Sequence, residues 1–195
     1  MKKILLILFI SYAFINSANA NSIKGAFGYE LGDVYKKSDR AYTYKFTPKN
    51  TFPGLDDYSV TTGTDNRILN ITSKTLKYSY TLYNCRQGNY SPFRRLLNLL
   101  QTKYGQFEKV LDERREYSGR LIDEVEYKYE NEDRYIYLSC NTYSENGTTD
   151  YRLWLEYQDN TLFKKSIEDL SFKLQDVDSI LMLDLWKNDS YLYSS

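Results

Sequence analysis

The chain has 195 residues, with 26 basic and 26 acidic side chains, three prolines, two cysteines and no histidine. Without histidine it lacks the commonest general base, the commonest metal ligand and any Ser-His or Cys-His nucleophile pair. Its basic residues are scattered, Arg94-Arg95 and Arg114-Arg115 being the densest clusters, so there is no one-sided basic stripe of the kind a nucleic-acid backbone requires.

Residues 1–20 divide as a secretory signal divides. Lys2 and Lys3 supply the positive start, Ile4 to Ile15 is an apolar run broken only by Ser11, and Ala18-Asn19-Ala20 ends it with small residues. The run is shorter than the roughly 20 apolar residues of a spanning helix, and no cysteine stands near it to carry a lipid. The expectation is cleavage between Ala20 and Asn21, no membrane anchor afterwards, and a periplasmic or secreted product. Losing Lys2 and Lys3 leaves 24 basic against 26 acidic residues. Residues 21–195 then suit a single domain that buries roughly 70% of its unfolded surface.

Three glycines stand within Gly25-Ala26-Phe27-Gly28-Tyr29-Glu30-Leu31-Gly32-Asp33. Neither a Walker loop nor GxGxxG is present, so turns and close backbone contacts explain them better than a phosphate cradle. Tyr42, Tyr44 and Phe46 then alternate with polar residues, the pattern of a strand. Tyr58 to Thr62 and Arg67 to Thr72 read as a hairpin around Gly63-Thr64-Asp65-Asn66. Lys77 to Tyr83 extends it or adds a short strand.

Ser91 is a suitable N-cap, Pro92 suits the first helical position, and Phe93, Leu96, Leu97, Leu100 and Tyr104 recur on one face. Gly105 offers the left-handed stop. Glu124 to Glu130, Tyr135 to Leu138 and Tyr151 to Tyr157 then form a three-stranded meander, with turns at Asn131-Glu132-Asp133 and Glu145-Asn146-Gly147. Phe163, Ile167, Leu170, Leu174, Val177 and Leu181 recur at four-three spacing, an amphipathic helix taken to about Val177 and packed on its own sheet. Lys187 to Ser195 is a polar, fraying tail. The expected fold is α+β: an antiparallel sheet of about five or six strands, one inserted helix and one C-terminal helix.

An even pair of cysteines in an exported chain indicates a disulfide. A Cys85–Cys140 bridge would stabilise by about 4 kcal/mol in the chain-entropy account. Two isolated buried thiols are the alternative. They are not spaced as CxxC, and two thiols alone cannot make a Cys-rich zinc site.

The glycine-rich start, the stretch from Phe52-Pro53-Gly54 to Ile71, Cys85, Lys103-Tyr104-Gly105 and Cys140 together resemble a set of uncharacterised exported proteobacterial proteins. That resemblance spans most of residues 21–195. It implies export and a shared fold, and brings no activity and no functional residues.

Acid pairs occur at Asp56-Asp57, Asp112-Glu113, Glu124/Glu126 and Asp176/Asp178, where solvated charge is the default reading. No catalytic residue, cofactor or metal is expected. Trp154, between Arg152 and Glu156, points away from Leu153 and Leu155. It is either core beneath a helix or an aromatic platform with Arg152 for a partner. Tyrosine is abundant, at 21 copies, and buries much area while keeping a polar tip. The expected function is therefore a non-enzymatic interaction module binding another cell-envelope protein, as an inhibitor, immunity or envelope-associated factor. A carbohydrate- or peptidoglycan-binding domain is the alternative, and a His-free hydrolase on paired carboxylates the third.

Overall fold

The computed structural model describes residues 22–35, 42–76, 85–86, 91–145 and 148–174. The leader with its cleavage point at Ala20 and Asn21, the expected strand at 77–83, Asn146-Gly147, Asp176/Asp178 and the tail lie outside the described residues.

Among the described residues nine strands and two helices follow in chain order. They are β1 (Gly25–Ala26), β2 (Tyr29–Glu30), β3 (Tyr42–Lys45), β4 (Asp57–Thr62), β5 (Ile68–Lys74), α1 (Pro92–Tyr104), β6 (Glu108–Tyr117), β7 (Arg120–Asn131), β8 (Arg134–Glu145), β9 (Thr148–Asp159) and α2 (Asn160–Leu174). β1 and β2 make a small hairpin of their own. The other seven form one antiparallel sheet in the order β3-β4-β5-β9-β8-β7-β6. The fold is thus α+β, with more strands than the five or six expected.

The additional strand is β6. Charged residues fill most of it and its side chains are almost all exposed, so no apolar alternation announces it. What folds it back is the turn after it: Ser118 and Gly119 take φ of +51° and +78°, the two-residue hairpin geometry whose twist matches its strands. The meander therefore has four strands.

Alternation supplies one buried sheet face. Tyr58, Val60, Ile71, Val125, Ile136, Leu138, Leu153 and Leu155 point inward and are almost fully buried. Helix α1 covers them with Phe93, Leu96, Leu97, Leu100 and Tyr104, and Phe93 meets Tyr127 with ring centroids 5.9 Å apart. The helix starts as the sequence indicates; at its stop Gly105 has positive φ, but with ψ −163° it is extended rather than in the left-handed helical conformation expected. Arg94 N–H donates to Ser91 Oγ at 3.2 Å, and Gly105, at φ +106°, donates to the Gln101 carbonyl at 2.9 Å.

Helix α2 sits differently from its expected seam. Asp159 Oδ1 caps it by accepting from Leu162 N–H at 3.0 Å. It packs at the end of the sheet, where Thr64 in the β4–β5 turn donates to Asp169 at 3.4 Å. Ser166 is buried there and Ile167, placed inward by the four-three spacing, is exposed. The inward face is turned by one residue because the end of the sheet, with its polar turn, is what α2 meets.

The glycine-rich start forms the β1–β2 hairpin. A Cβ on Gly25 would stand 2.2 Å from the Tyr29 carbonyl oxygen, so close backbone approach explains the glycine. Arg134 pins this hairpin to the sheet: its Nε donates to Asp159 at 2.9 Å, Nη1 to the Ile23 carbonyl at 2.8 Å and Nη2 to the Leu31 carbonyl at 3.2 Å. Cys85 and Cys140 are joined, both fully buried, with Cα atoms 5.6 Å apart. The bridge ties the segment before α1 to β8.

Replacing both cysteines by serine should lower unfolding free energy by about 2–5 kcal/mol, read as a fall in urea midpoint at constant slope. An unchanged midpoint would mean the bridge contributes nothing. Arg134→Ala should cost about 1–3 kcal/mol, because Asp159 and two carbonyls lose their donor. Hydrogen exchange should speed up at residues 22–32 first; uniform change across the molecule would contradict the pinning role.

Candidate functional site

The two sheet faces differ in how they are finished. α1 lies on the inner face. The outer face carries Trp154, Glu156 and Arg152 of β9, Tyr135, Tyr137 and Tyr143 of β8, and Asn70 and Lys74 of β5, following the cross-strand register. Arg152 is exposed and Trp154 half-buried.

Trp154 is covered neither by α1 nor left as a bare platform. Lys74 Nζ lies over its ring, 5.6 Å from the centroid, a cation–π contact. Its Nε1–H donates to Glu156 Oε2 at 3.0 Å. The other oxygen of Glu156 accepts from Asn70 Nδ2 at 2.6 Å and from the Tyr135 hydroxyl at 2.9 Å. Lys128 covers Tyr135 and Arg152 covers Tyr143 in the same way, at 5.1 and 5.3 Å. The centre of this face is knitted by its own hydrogen bonds, with a cation laid on each of these three rings. A sugar ring stacking on Trp154 would have to displace Lys74 or take the other side of the indole.

A second aromatic row packs against the core at the other end of the sheet, and the sequence reading did not single it out. Seven rings stand in a continuous row: Tyr42 to Tyr44 at 5.8 Å between centroids, Tyr44 to Tyr35 at 5.2 Å, Tyr35 to Tyr29 at 5.4 Å, Tyr29 to Phe46 at 4.6 Å, Phe46 to Tyr58 at 5.9 Å and Tyr58 to Phe27 at 5.0 Å. These separations and the tilted or edge-on angles are the favourable ones for aromatic pairs. Tyr58 is the buried anchor, its hydroxyl donating to the Leu55 carbonyl at 2.8 Å. The other rings are half-buried, and Tyr42 is 42% exposed.

The row borders β3, an edge strand of the sheet. β3 carries one charge, Lys45, which Asp57 of β4 holds at 3.0 Å. Beyond Phe46 and Tyr58 lies a depression of about 420 Å³ lined also by Pro48, Phe52 and Pro53. The alternation of Tyr42, Tyr44 and Phe46 was visible in the sequence. That their strand would lie at an edge, against rings from the β1–β2 hairpin, was not.

The acids serve other ends. Asp57 pairs with Lys45 and Lys74, Asp112 with Arg86 and Lys109, and Glu113 and Glu124 with Arg115. A further depression, about 490 Å³ and lined by Arg134, Asp159 and Arg67, is where Arg134 makes its structural bonds. Among the described residues no group of three or more Cys, Asp or Glu side chains is placed to hold a metal ion. Comparison with protein-family models and with curated proteins gave no match.

Tyrosine burial has a pH consequence. Burial, then the Glu156 carboxylate, push the Tyr135 hydroxyl well above the usual phenol range; burial and Glu126 do the same at Tyr137, and burial at Tyr157. Unfolded phenols ionise near pH ~10, so above that pH the native state holds more protons than the unfolded one and stability falls as pH rises. Below it the contribution is fully present. Ultraviolet titration should show a group of tyrosines ionising only as the far-ultraviolet dichroism collapses. Complete ionisation with the fold intact would contradict this.

Proposed function

We propose that this protein is a non-enzymatic interaction module that works outside the cytoplasm and binds another protein through the aromatic row beside β3. One observation carries the reading: partly buried rings, ending in the exposed Tyr42, stand in continuous contact along a sheet edge almost free of charge. Contiguous apolar surface of this kind marks contact sites. Tyrosine supplies large rigid area at small entropic cost and a hydroxyl that stays hydrated when the partner is absent.

The edge adds a second means of attachment. An extended segment of the partner can pair with the backbone of β3 and lay alternate side chains over Tyr44, Tyr29 and Phe46, which is strand addition. The depression beside Phe52 and Pro53 would take an apolar side chain at one end of that segment. The disulfide favours an oxidising compartment, in keeping with the secretory pattern of residues 1–20 and the resemblance to exported proteobacterial proteins. An inhibitor, an immunity factor or an envelope-associated protein would each use such a surface.

The test is photo-crosslinking in the cell of origin, with a benzophenone amino acid at Tyr42 and, as control, at Tyr117, which is 71% exposed on the far β6–β7 hairpin. Tyr42 should give one discrete protein adduct, lost in Tyr44→Ala, and Tyr117 none. No adduct at Tyr42, or equal adducts at both, would overturn the reading. Sedimentation with purified cell wall that is lost in Trp154→Ala would instead favour a glycan ligand on the outer face.

A further inference from the structure

The Cys85–Cys140 bridge holds Arg86 over the inner face of the β6–β7 pair. Arg86 Nε donates to Asp123 Oδ1 at 2.9 Å and its Nη1 pairs with Asp112. Lys109 Nζ reaches Asp112 Oδ2 at 2.7 Å, and Arg114 Nε comes within 3.6 Å of the same Asp123 oxygen. Helix α1 brings in a fourth cation, Arg94, whose Nη1 lies 3.4 Å from the Tyr127 hydroxyl. Lys109 extends over the Tyr127 ring, 6.0 Å from its centroid. The hydrogen bond to Asp112 holds Lys109 above its usual value, and the Arg94 charge opposes that rise, so the two cations share one field.

Three cations thus meet two carboxylates, and a fourth, Arg94, stands beside them on the Tyr127 hydroxyl. The arrangement is layered as well as unequal. The Asp123 side chain is 6% exposed and lies beneath, while Arg86, Lys109 and Arg114 are 33%, 44% and 59% exposed above it. Among the described residues no carboxylate pairs with Arg94, whose Nη1 faces the Tyr127 hydroxyl. With Arg94 counted in, these described side chains leave two positive charges over on the outward side.

We propose that this corner is a binding site for a phosphate group, gripped by Arg94, Arg114 and Lys109 over a base fixed by Arg86. Two surplus charges match a phosphate dianion, and guanidinium forks fit its oxygens in pairs. A carboxylate, with one charge, would leave the corner unbalanced. The phosphate can belong to a free phosphomonoester or to a lipid headgroup. This site does not depend on the aromatic row, which lies at the opposite edge of the sheet.

The oxidised full chain is titrated with inorganic phosphate, and with chloride at matched ionic strength, by calorimetry. Saturable binding to phosphate alone, weakened tenfold or more in Arg94→Gln/Arg114→Gln with the melting midpoint in chloride unchanged, is the expected result. Arg115→Gln, whose side chain pairs with Glu124 on the other face, should bind as the parent does. If the double variant melts lower, Arg114→Gln alone is read, with at least a threefold loss expected. Flotation with phosphatidic acid vesicles, competed by phosphate, assigns the headgroup; phosphate binding without flotation assigns the free anion. No saturation, an equal response to chloride, or equal loss in Arg115→Gln overturns the site.

Discussion

Everything in this molecule hangs from the pairing of β9. This strand is inserted between β5 and β8, bonded to β8 along its length and to β5 from Trp154 to Gln158. That insertion joins an N-terminal hairpin unit to a C-terminal meander, and no other element does so as extensively. Its inward residues Leu153 and Leu155 are almost fully buried, each burial being worth roughly 1.5–3 kcal/mol. Its end is equally committed. Asp159 caps α2 and holds Arg134, and Arg134 holds the β1–β2 hairpin. One strand therefore positions both helical layers and the N-terminal flap.

With β9 central, the edges are settled, and they are finished in opposite ways. β6 is long and filled with charge, the device that keeps an edge from pairing with other chains. β3 is short, nearly uncharged and flanked by rings. A protein that protects one edge and leaves the other apolar is consistent with using the second. The outer face of the sheet follows a third course, Tyr135 and Trp154 tied to Glu156 and its rings covered by lysine and arginine, so that among the described residues polar networks finish it.

Much of this was legible in the sequence because local signals and tertiary demands agree. Ser91, Pro92, the Phe93-to-Tyr104 face and Gly105 define α1 because capping groups and apolar period coincide. The strands of the meander were legible wherever one face is core, as at Val125, Tyr127 and Tyr129. β6 was hidden because nothing in it is buried; its only local mark is Ser118-Gly119. Ile167 misled because period alone gives a stripe and not the surface the stripe meets. The disulfide was foreseeable from compartment and count. The aromatic row and the cation corner were not, because each assembles residues from distant segments: Tyr29, Tyr35 and Tyr44 in one, Arg86, Arg94 and Arg114 in the other. Trp154 was conspicuous by residue type, yet its environment depends on Lys74, eighty residues earlier.

Native-state hydrogen exchange followed by NMR tests the arrangement most directly. If β9 is the interior strand that holds both halves together, amides from Trp154 to Gln158 exchange only through global unfolding, while those of β3 that point away from β4 exchange orders of magnitude faster. Residues 57–74 opening as a unit ahead of the meander, or β3 amides protected as strongly as those of β9 in the free protein, would contradict the central place of β9 and the open edge that follows from it.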